Sequence, residues 1–185
     1  MHNAMRRRAV AALRTALRRH GRAIGFGVSA SLVAAVGTTI GQPPSPRLLW
    51  NASASAPLGL WHVAPDAPLR RGDMVVARLA APWRALAARR HYLPANVPLL
   101  KRVAALAGDQ ICADRGRIIV NGAIVAMSRS TDAAARPMPR WQGCTVLGDN
   151  ALLLLMDDPA SFDGRYFGPT ARGDIIGKAT PLWLR

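Results

Sequence analysis

Cysteine, lysine and acidic residues are all scarce in this chain of 185 residues, and each scarcity excludes a class of protein. Two cysteines, Cys112 and Cys144, are too few for a disulfide-framework protein and lack the spacing of a metal site. The histidines His2, His20, His62 and His91 stand in no His–Asp–Ser arrangement. There is no HExxH, CxxC, P-loop or GxSxG run, so nothing implies a metal, a phosphate site or a cofactor. Internal repeats and low-complexity tracts are also missing.

Half the chain is hydrophobic and only 19% is charged, which excludes a disordered tail. The net charge of +15 invites a nucleic-acid reading, but its distribution argues against one. Seven arginines (Arg6, Arg7, Arg8, Arg14, Arg18, Arg19, Arg22) crowd the first 22 residues, leaving +8 scattered among apolar runs. No zinc-finger, RRM or basic-zipper pattern accompanies them, so no nucleic acid is expected as a partner. Arginine so far outnumbers lysine that Lys101 and Lys178 are the only two lysines.

Residues 23–41, from Ala23 to Gly41, are uncharged and rich in small residues, close to the roughly 20 residues a helix needs to cross a bilayer. The arginines directly before them place residues 1–22 in the cytoplasm and everything after Gly41 outside, in the periplasm of a Gram-negative cell. Two readings fit: a permanent anchor, or a signal peptide cleaved near Ala34-Ala35-Val36-Gly37. Gln42-Pro43-Pro44-Ser45-Pro46 breaks any helix, and residues 42–50 read as a linker into a folded domain over 51–185.

In that domain Asp73–Leu79, Leu99–Leu106, Arg117–Val120, Ala123–Met127, Leu152–Met156 and Asp174–Thr180 read as short strands. Asn121-Gly122 is a two-residue hairpin signal, because both residues tolerate positive φ. Pro82–Arg90 is the one helix, with proline in its first turn. The fold class expected is mainly β, a sandwich or barrel behind a single N-terminal helix.

Three segments could carry chemistry. Ser55 lies in Asn51-Ala-Ser53-Ala-Ser55-Ala-Pro57-Leu-Gly59-Leu-Trp61, where Pro57 and Gly59 restrict the backbone; by itself this also reads as a plain loop. Lys101 follows the apolar run Pro98-Leu-Leu. Buried, its amine loses affinity for a proton and becomes a competent base for a serine hydroxyl; on the surface it simply extends into water. Ser161-Phe-Asp163-Gly-Arg165-Tyr-Phe-Gly168 reads as an ion pair beside a tight turn.

In this order the three resemble the boxes of the type I signal peptidases, and the resemblance covers Asn51 to the C-terminus. Ser55-Ala-Pro57-Leu-Gly59-Leu-Trp61, His91-Tyr-Leu-Pro94, Pro98-Leu-Leu-Lys101-Arg102-Val103-Ala104, Trp141-Gln-Gly143-Cys144 and Ser161 through Pro169 make it most similar to the conjugative-transfer, TraF-type branch. The resemblance implies a signal-peptidase-like β-rich catalytic domain with Ser55 as nucleophile and Lys101 as general base. Ser53 and the Ser55 amide would form the oxyanion hole, Ser161 would orient the lysine, and Asp163 with Arg165 would support the site. Ala56 stands where methionine is usual, and Met156-Asp157-Asp158-Pro159 where a Gly-Asp-Asn-Arg run is usual. Gly148-Asp149-Asn150 looks like that run but lies too early and reads as a turn.

The implied protein is a Ser/Lys endopeptidase of the bacterial inner membrane with its catalytic domain in the periplasm. Its implied partners are the membrane and a precursor protein, a conjugative pilin precursor, with other conjugation or type IV secretion components. The alternatives are a general leader peptidase and a non-catalytic pilus-assembly scaffold with the same fold. In an oxidising periplasm Cys112 and Cys144 either form a bridge or remain two separate thiols.

Overall fold

The computed structural model describes residues 46–185, together with Ser31 and Val33, which are helical. The basic segment and, apart from those two residues, the apolar stretch 23–41 lie outside the described residues. No helix among the described residues is long and apolar enough to cross a membrane.

The folded unit spans Ser45–Arg185 and is mainly β. Its elements run β1 (Leu48–Asn51), β2 (Gly59–Ala64), β3 (Met74–Ala77), α1 (Ala81–Arg89), β4 (Leu99–Ala105), β5 (Gln110–Asp114), β6 (Arg117–Val120) and β7 (Ala123–Met127). They continue with β8 (Gly143–Val146), β9 (Ala151–Leu155), a one-turn helix α2 (Gly164–Phe167), β10 (Thr170–Ala171) and β11 (Ile175–Leu184). β1 starts at Leu48, ahead of the boundary expected at Asn51. It holds its place by antiparallel pairing with β2, Leu48 opposite His62 and Asn51 opposite Gly59.

All strand pairings among the described residues are antiparallel. One sheet has seven strands in the order β1-β2-β11-β3-β4-β9-β10, and the other has four in the order β7-β6-β5-β8. β9 shows why the two sheets stay together. Its four leucines are all buried, and with a side-chain period of two they face opposite ways. Leu152 and Leu154 join Val75, Ala77 and Val103, whereas Leu153 and Leu155 join Ile111, Ile118 and Val120 of the small sheet. β9 thus serves two cores, and its continuous apolar run is the mark of a strand covered on both faces.

The hairpin at Asn121-Gly122 forms with φ of 50° and 83°, as two-residue loops require. α1 opens with Pro82 in its first turn. Strands β5 and β8 place Cys112 opposite Cys144 in register, and their sulfurs are bridged.

β11 runs between β2 and β3 and closes the large sheet over the turn that carries Ser55. Gly59 makes this approach possible: its φ is 141°, and a Cβ there would lie 2.1 Å from the Trp183 carbonyl oxygen. Beyond it Trp50 and Trp183 stack with centroids 5.7 Å apart, and Leu48, Leu182 and Leu184 are exposed around them.

Two stability changes are expected. Gly59→Ala should destabilise the domain by about 2 kcal/mol or more, read as a lowered melting temperature, because backbone atoms occupy the new methyl's space. Replacing both cysteines by serine should cost about 3 kcal/mol in oxidising buffer, from the loop of sequence separation 32 that the bridge closes, and nothing in reducing buffer.

Candidate active site

The turn between β1 and β2 is built around a buried amide. Asn51, 7% exposed, donates from Nδ2 to the carbonyl oxygens of Ser53, Ala56 and Pro57 at 3.0, 3.0 and 2.9 Å. Its Oδ1 accepts the Ser53 N–H at 3.1 Å. The Trp61 indole N–H donates to the Pro57 carbonyl at 3.3 Å, and Ala56 is buried beside Trp61 and Met156. The turn is therefore fixed from inside, and it leaves the Ser53 and Ser55 hydroxyls 3.1 Å apart at the surface of the sheet. Asn51 opened the segment in the sequence without a role. An asparagine two residues before Ser53 is an Asx-turn pattern, and that was the signal available for it.

Lys101 comes from β4. Period-two alternation puts it on the same face as Leu99 and Val103, both core residues, so its side chain emerges into an apolar row and is 3% exposed. Nζ reaches Ser55 Oγ at 3.1 Å and Ser161 Oγ at 2.7 Å. Burial pushes the amine down from the usual lysine range to about 8. Asp163 pulls the other way, and Arg165 and Asp158 contribute smaller, opposed effects.

Ser161 is fully buried. Asp158 sets its backbone, accepting the Ala160 N–H on Oδ1 at 2.7 Å and the Ser161 N–H on its carbonyl at 3.0 Å. Two residues on, Asp163 and Arg165 form a buried bidentate pair, Nε to Oδ1 at 2.8 Å and Nη2 to Oδ2 at 3.0 Å. Asp163 also accepts the backbone N–H groups of Met156 and Arg165 and so caps α2, while the Arg165 guanidinium reaches the carbonyls of Met156 and Met127. Every buried side-chain nitrogen and oxygen among the described residues has a partner.

The structure thus brings together Ser53, Ser55, Lys101 and Ser161 and sets Asp163 with Arg165 directly behind them. Cys112 and Cys144 are bridged in the small sheet, away from this group. No cluster of potential metal ligands exists among the described residues. His62 and His91 are exposed and take no part.

Two hollows flank Ser55 and Lys101. One, about 410 Å³, is walled by Trp50, Leu93, Pro94, Val97 and Leu100. The other, about 270 Å³, is walled by Tyr92, Arg129, Asp132, Ser161 and Phe162. Its outer side is a strap between β7 and β8, bridged at Thr131 and Pro137. Asp132 holds the strap: Oδ1 accepts the N–H groups of Ala134 and Arg136, and Oδ2 accepts the Tyr92 hydroxyl and Arg136 Nε. The Tyr92 hydroxyl, aided by Arg136, holds that carboxyl well below the usual carboxylate range. The sequence gives no sign of this clamp, because its members lie 40 residues apart.

A serine hydroxyl hydrogen-bonded to a buried amine poised near neutrality is equipped for nucleophilic attack with proton transfer to the amine. The comparisons with known proteins agree with that chemistry. The profile of "Signal peptidase, peptidase S26" matches residues 20–184. A plasmid transfer protein TraF of Escherichia coli is 34% identical over 84% of this chain and 90% of its own length. A probable conjugal transfer protein TraF of Sinorhizobium fredii is 34% identical over 89% of this chain and 92% of its own. A signal peptidase I of Leptolyngbya laminosa is 30% identical, over 60% of this chain and 51% of its own length. With a serine and a buried lysine in hydrogen-bond contact, and the family profile running through nearly the whole folded unit, the chain belongs to the signal peptidase family, peptidase S26.

Proposed function

We propose that Ser55 and Lys101 cleave a secreted precursor, a conjugative pilin precursor, for a mating-pair or type IV secretion apparatus. The observation that carries the chemistry is the Lys101 Nζ, buried and bonded to Ser55 Oγ and Ser161 Oγ with no carboxylate of its own. The substrate assignment is supported by relatives described as plasmid and conjugal transfer proteins, which align over most of both chains. The signal peptidase I relative covers less of each, so a general leader peptidase is the weaker reading.

The steps follow from the geometry. Ser55 Oγ attacks the scissile carbonyl as its proton passes to the neutral Lys101 amine. The oxyanion is met by the Ser55 N–H and by the Ser53 hydroxyl, which turns from its bond to Ser55. One such donor is typically worth about 3–4 kcal/mol of barrier. The tetrahedral adduct collapses, the leaving amine takes the proton from Lys101, and a water activated by the same amine hydrolyses the acyl-enzyme. Ser161 fixes the amine throughout, and Asp163 with Arg165 fixes Ser161 and α2.

An inner-membrane location with the catalytic unit in the periplasm is supported by the arginine-flanked stretch 23–41. The exposed Trp50–Trp183 stack, with Arg47 and Arg185 at its borders, suits the headgroup region.

Precursor processing by the full-length chain tests the reading. Ser55→Ala and Lys101→Ala should each lower the rate by about 10³-fold or more, and undiminished cleavage by either would refute the pair. The rate should also depend on the free amine. With the proton affinity lowered to about 8, activity rises as pH rises toward 8 and levels off above it. At pH 7 about 10% of the enzyme is competent, against about 0.03% for an unperturbed lysine. A rate that stays flat from pH 6 to 9 would remove Lys101 as the base.

A further inference from the structure

The smaller hollow beside Ser55 contains a charge that the cleavage chemistry does not use. Arg129 follows β7, and the backbone from Met127 to Arg129 is held by three bonds. Met127 O accepts Arg165 Nη1 at 3.3 Å, Ser128 N–H donates to Gly116 O at 2.7 Å, and Arg129 N–H donates to the Tyr166 hydroxyl at 3.2 Å. Tyr166 and Arg165 belong to the α2 segment that also positions Ser161, so Arg129 is carried on the same frame as the Lys101 amine.

Its side chain lines the cleft and is exposed there. Among the described residues, Arg71, Arg102, Arg115, Arg117, Arg136 and Arg165 have an aspartate within salt-bridge distance; of the arginines that have none, Arg129 is the one that lines this hollow. The one carboxylate lining the same hollow is Asp132, whose two oxygens are taken by Arg136, the Tyr92 hydroxyl and two backbone N–H groups. The other cation of the cleft, Lys101, is engaged by two hydroxyls. A guanidinium with free donors on an anchored backbone, facing the hollow beside Ser55, matches a carboxylate in shape and charge.

We propose that Arg129 is a specificity-determining residue that receives a carboxylate of the peptide substrate in the cleft beside Ser55. The carboxylate comes either from an acidic side chain near the scissile bond or from the peptide's own C-terminus. This rests on Ser55 and Lys101 being the cleavage site. The proton affinity of Lys101 is set by its burial with Asp163, Arg165 and Asp158, so a substrate effect of Arg129 is separable from an effect on the base.

The test uses the full-length chain in detergent and internally quenched peptides with alanines before the central bond. A single Asp is walked through the flanking positions against Asn, and each peptide is made with a free or an amidated C-terminus. Wild type should favour the carboxylate partner about fivefold in kcat/KM, at one position or at the terminus, and the responding arm identifies the source. Arg129→Ala should bring that ratio to about 1 with an unchanged pH–rate profile, and Arg129→Asp should favour a Lys peptide at the same place. The same carboxylate-to-amide ratio in wild type and Arg129→Ala at every position overturns the proposal. Loss of all cleavage preference with Ser55→Ala still active overturns the cleavage reading instead. Anisotropy binding of the same peptides to Ser55→Ala, with and without Arg129→Ala, decides the Arg129 question where turnover is absent. Equal Asp-to-Asn affinity ratios there count against it.

Discussion

The site depends on one lysine being kept from a carboxylate. The chain has two lysines, and their surroundings differ in kind. Lys178, half-buried on β11, finds Asp73 at 2.8 Å and stays an ordinary ion pair. Lys101 is more deeply buried and meets only hydroxyls. The nearest strong anion behind it, Asp163, is bound on both oxygens by Arg165 and by backbone N–H groups. An unpaired Asp163 would draw the proton back onto Lys101, since it is already the largest influence raising the amine's proton affinity. The buried Asp163–Arg165 pair is thus a way to hold α2 and Ser161 in place while presenting little net charge to the base. Such a pair does little for stability compared with apolar packing, so a role in placing the base is the better account of it.

Ser55 is fixed by different means. Asn51 uses its whole amide on the turn, Trp61 adds one hydrogen bond, and Gly59 lets β11 close against the turn's far end. Ser55, Lys101 and Ser161 are separated by 46 and 60 residues along the chain, so no local segment can assemble the site. They meet only once β2, β4 and the segment after β9 are docked in the large sheet. The geometry is a property of the completed fold, and the register of β4 decides it: a slip of one residue would turn Lys101 to the Leu100 face and bring Leu100 to the serine.

Much of the frame was legible because its signals are local. The Asn121-Gly122 hairpin, the leucine run of β9, the proline-started α1 and the alternation in β4 all follow from neighbouring residues. β1 and β2 were not, because Pro57 and Gly59 read as loop, β2 gains its order from pairing with β11, more than a hundred residues later, and β1 from pairing with β2. β5 and β8 escaped for the same reason, their apolar alternation being short and partly made of cysteine and alanine. In the site, Ser55 and Lys101 carry no local distinction; a serine in a loop and a lysine in a strand are common. They became readable as members of ordered boxes. Asn51, Asp132 and Arg129 belong to no such box, and Tyr92 lies in one without its bond to Asp132 being readable there, since their partners are backbone groups or residues distant in sequence.

The small sheet explains why these unannounced residues cluster on one side. It supplies nothing to the Ser55–Lys101 contact, yet β7 and the strap after it form the outer wall of the cleft. That wall is tied to the catalytic frame at Met127 and Arg129 by Arg165 and Tyr166, and to the segment after α1 by the Asp132–Tyr92 bond and by Arg90 on Pro137. The bridge between Cys112 and Cys144 fastens its opposite edge. A wall held this firmly keeps a fixed distance from Ser55. Residues of the strap can be exchanged while the buried amine, the Asp163–Arg165 pair and the serine turn stay as they are, since none of those bonds runs through the strap. In this fold the cleft wall and the Ser55–Lys101 contact belong to different parts of the chain, joined through the same buried arginine, Arg165.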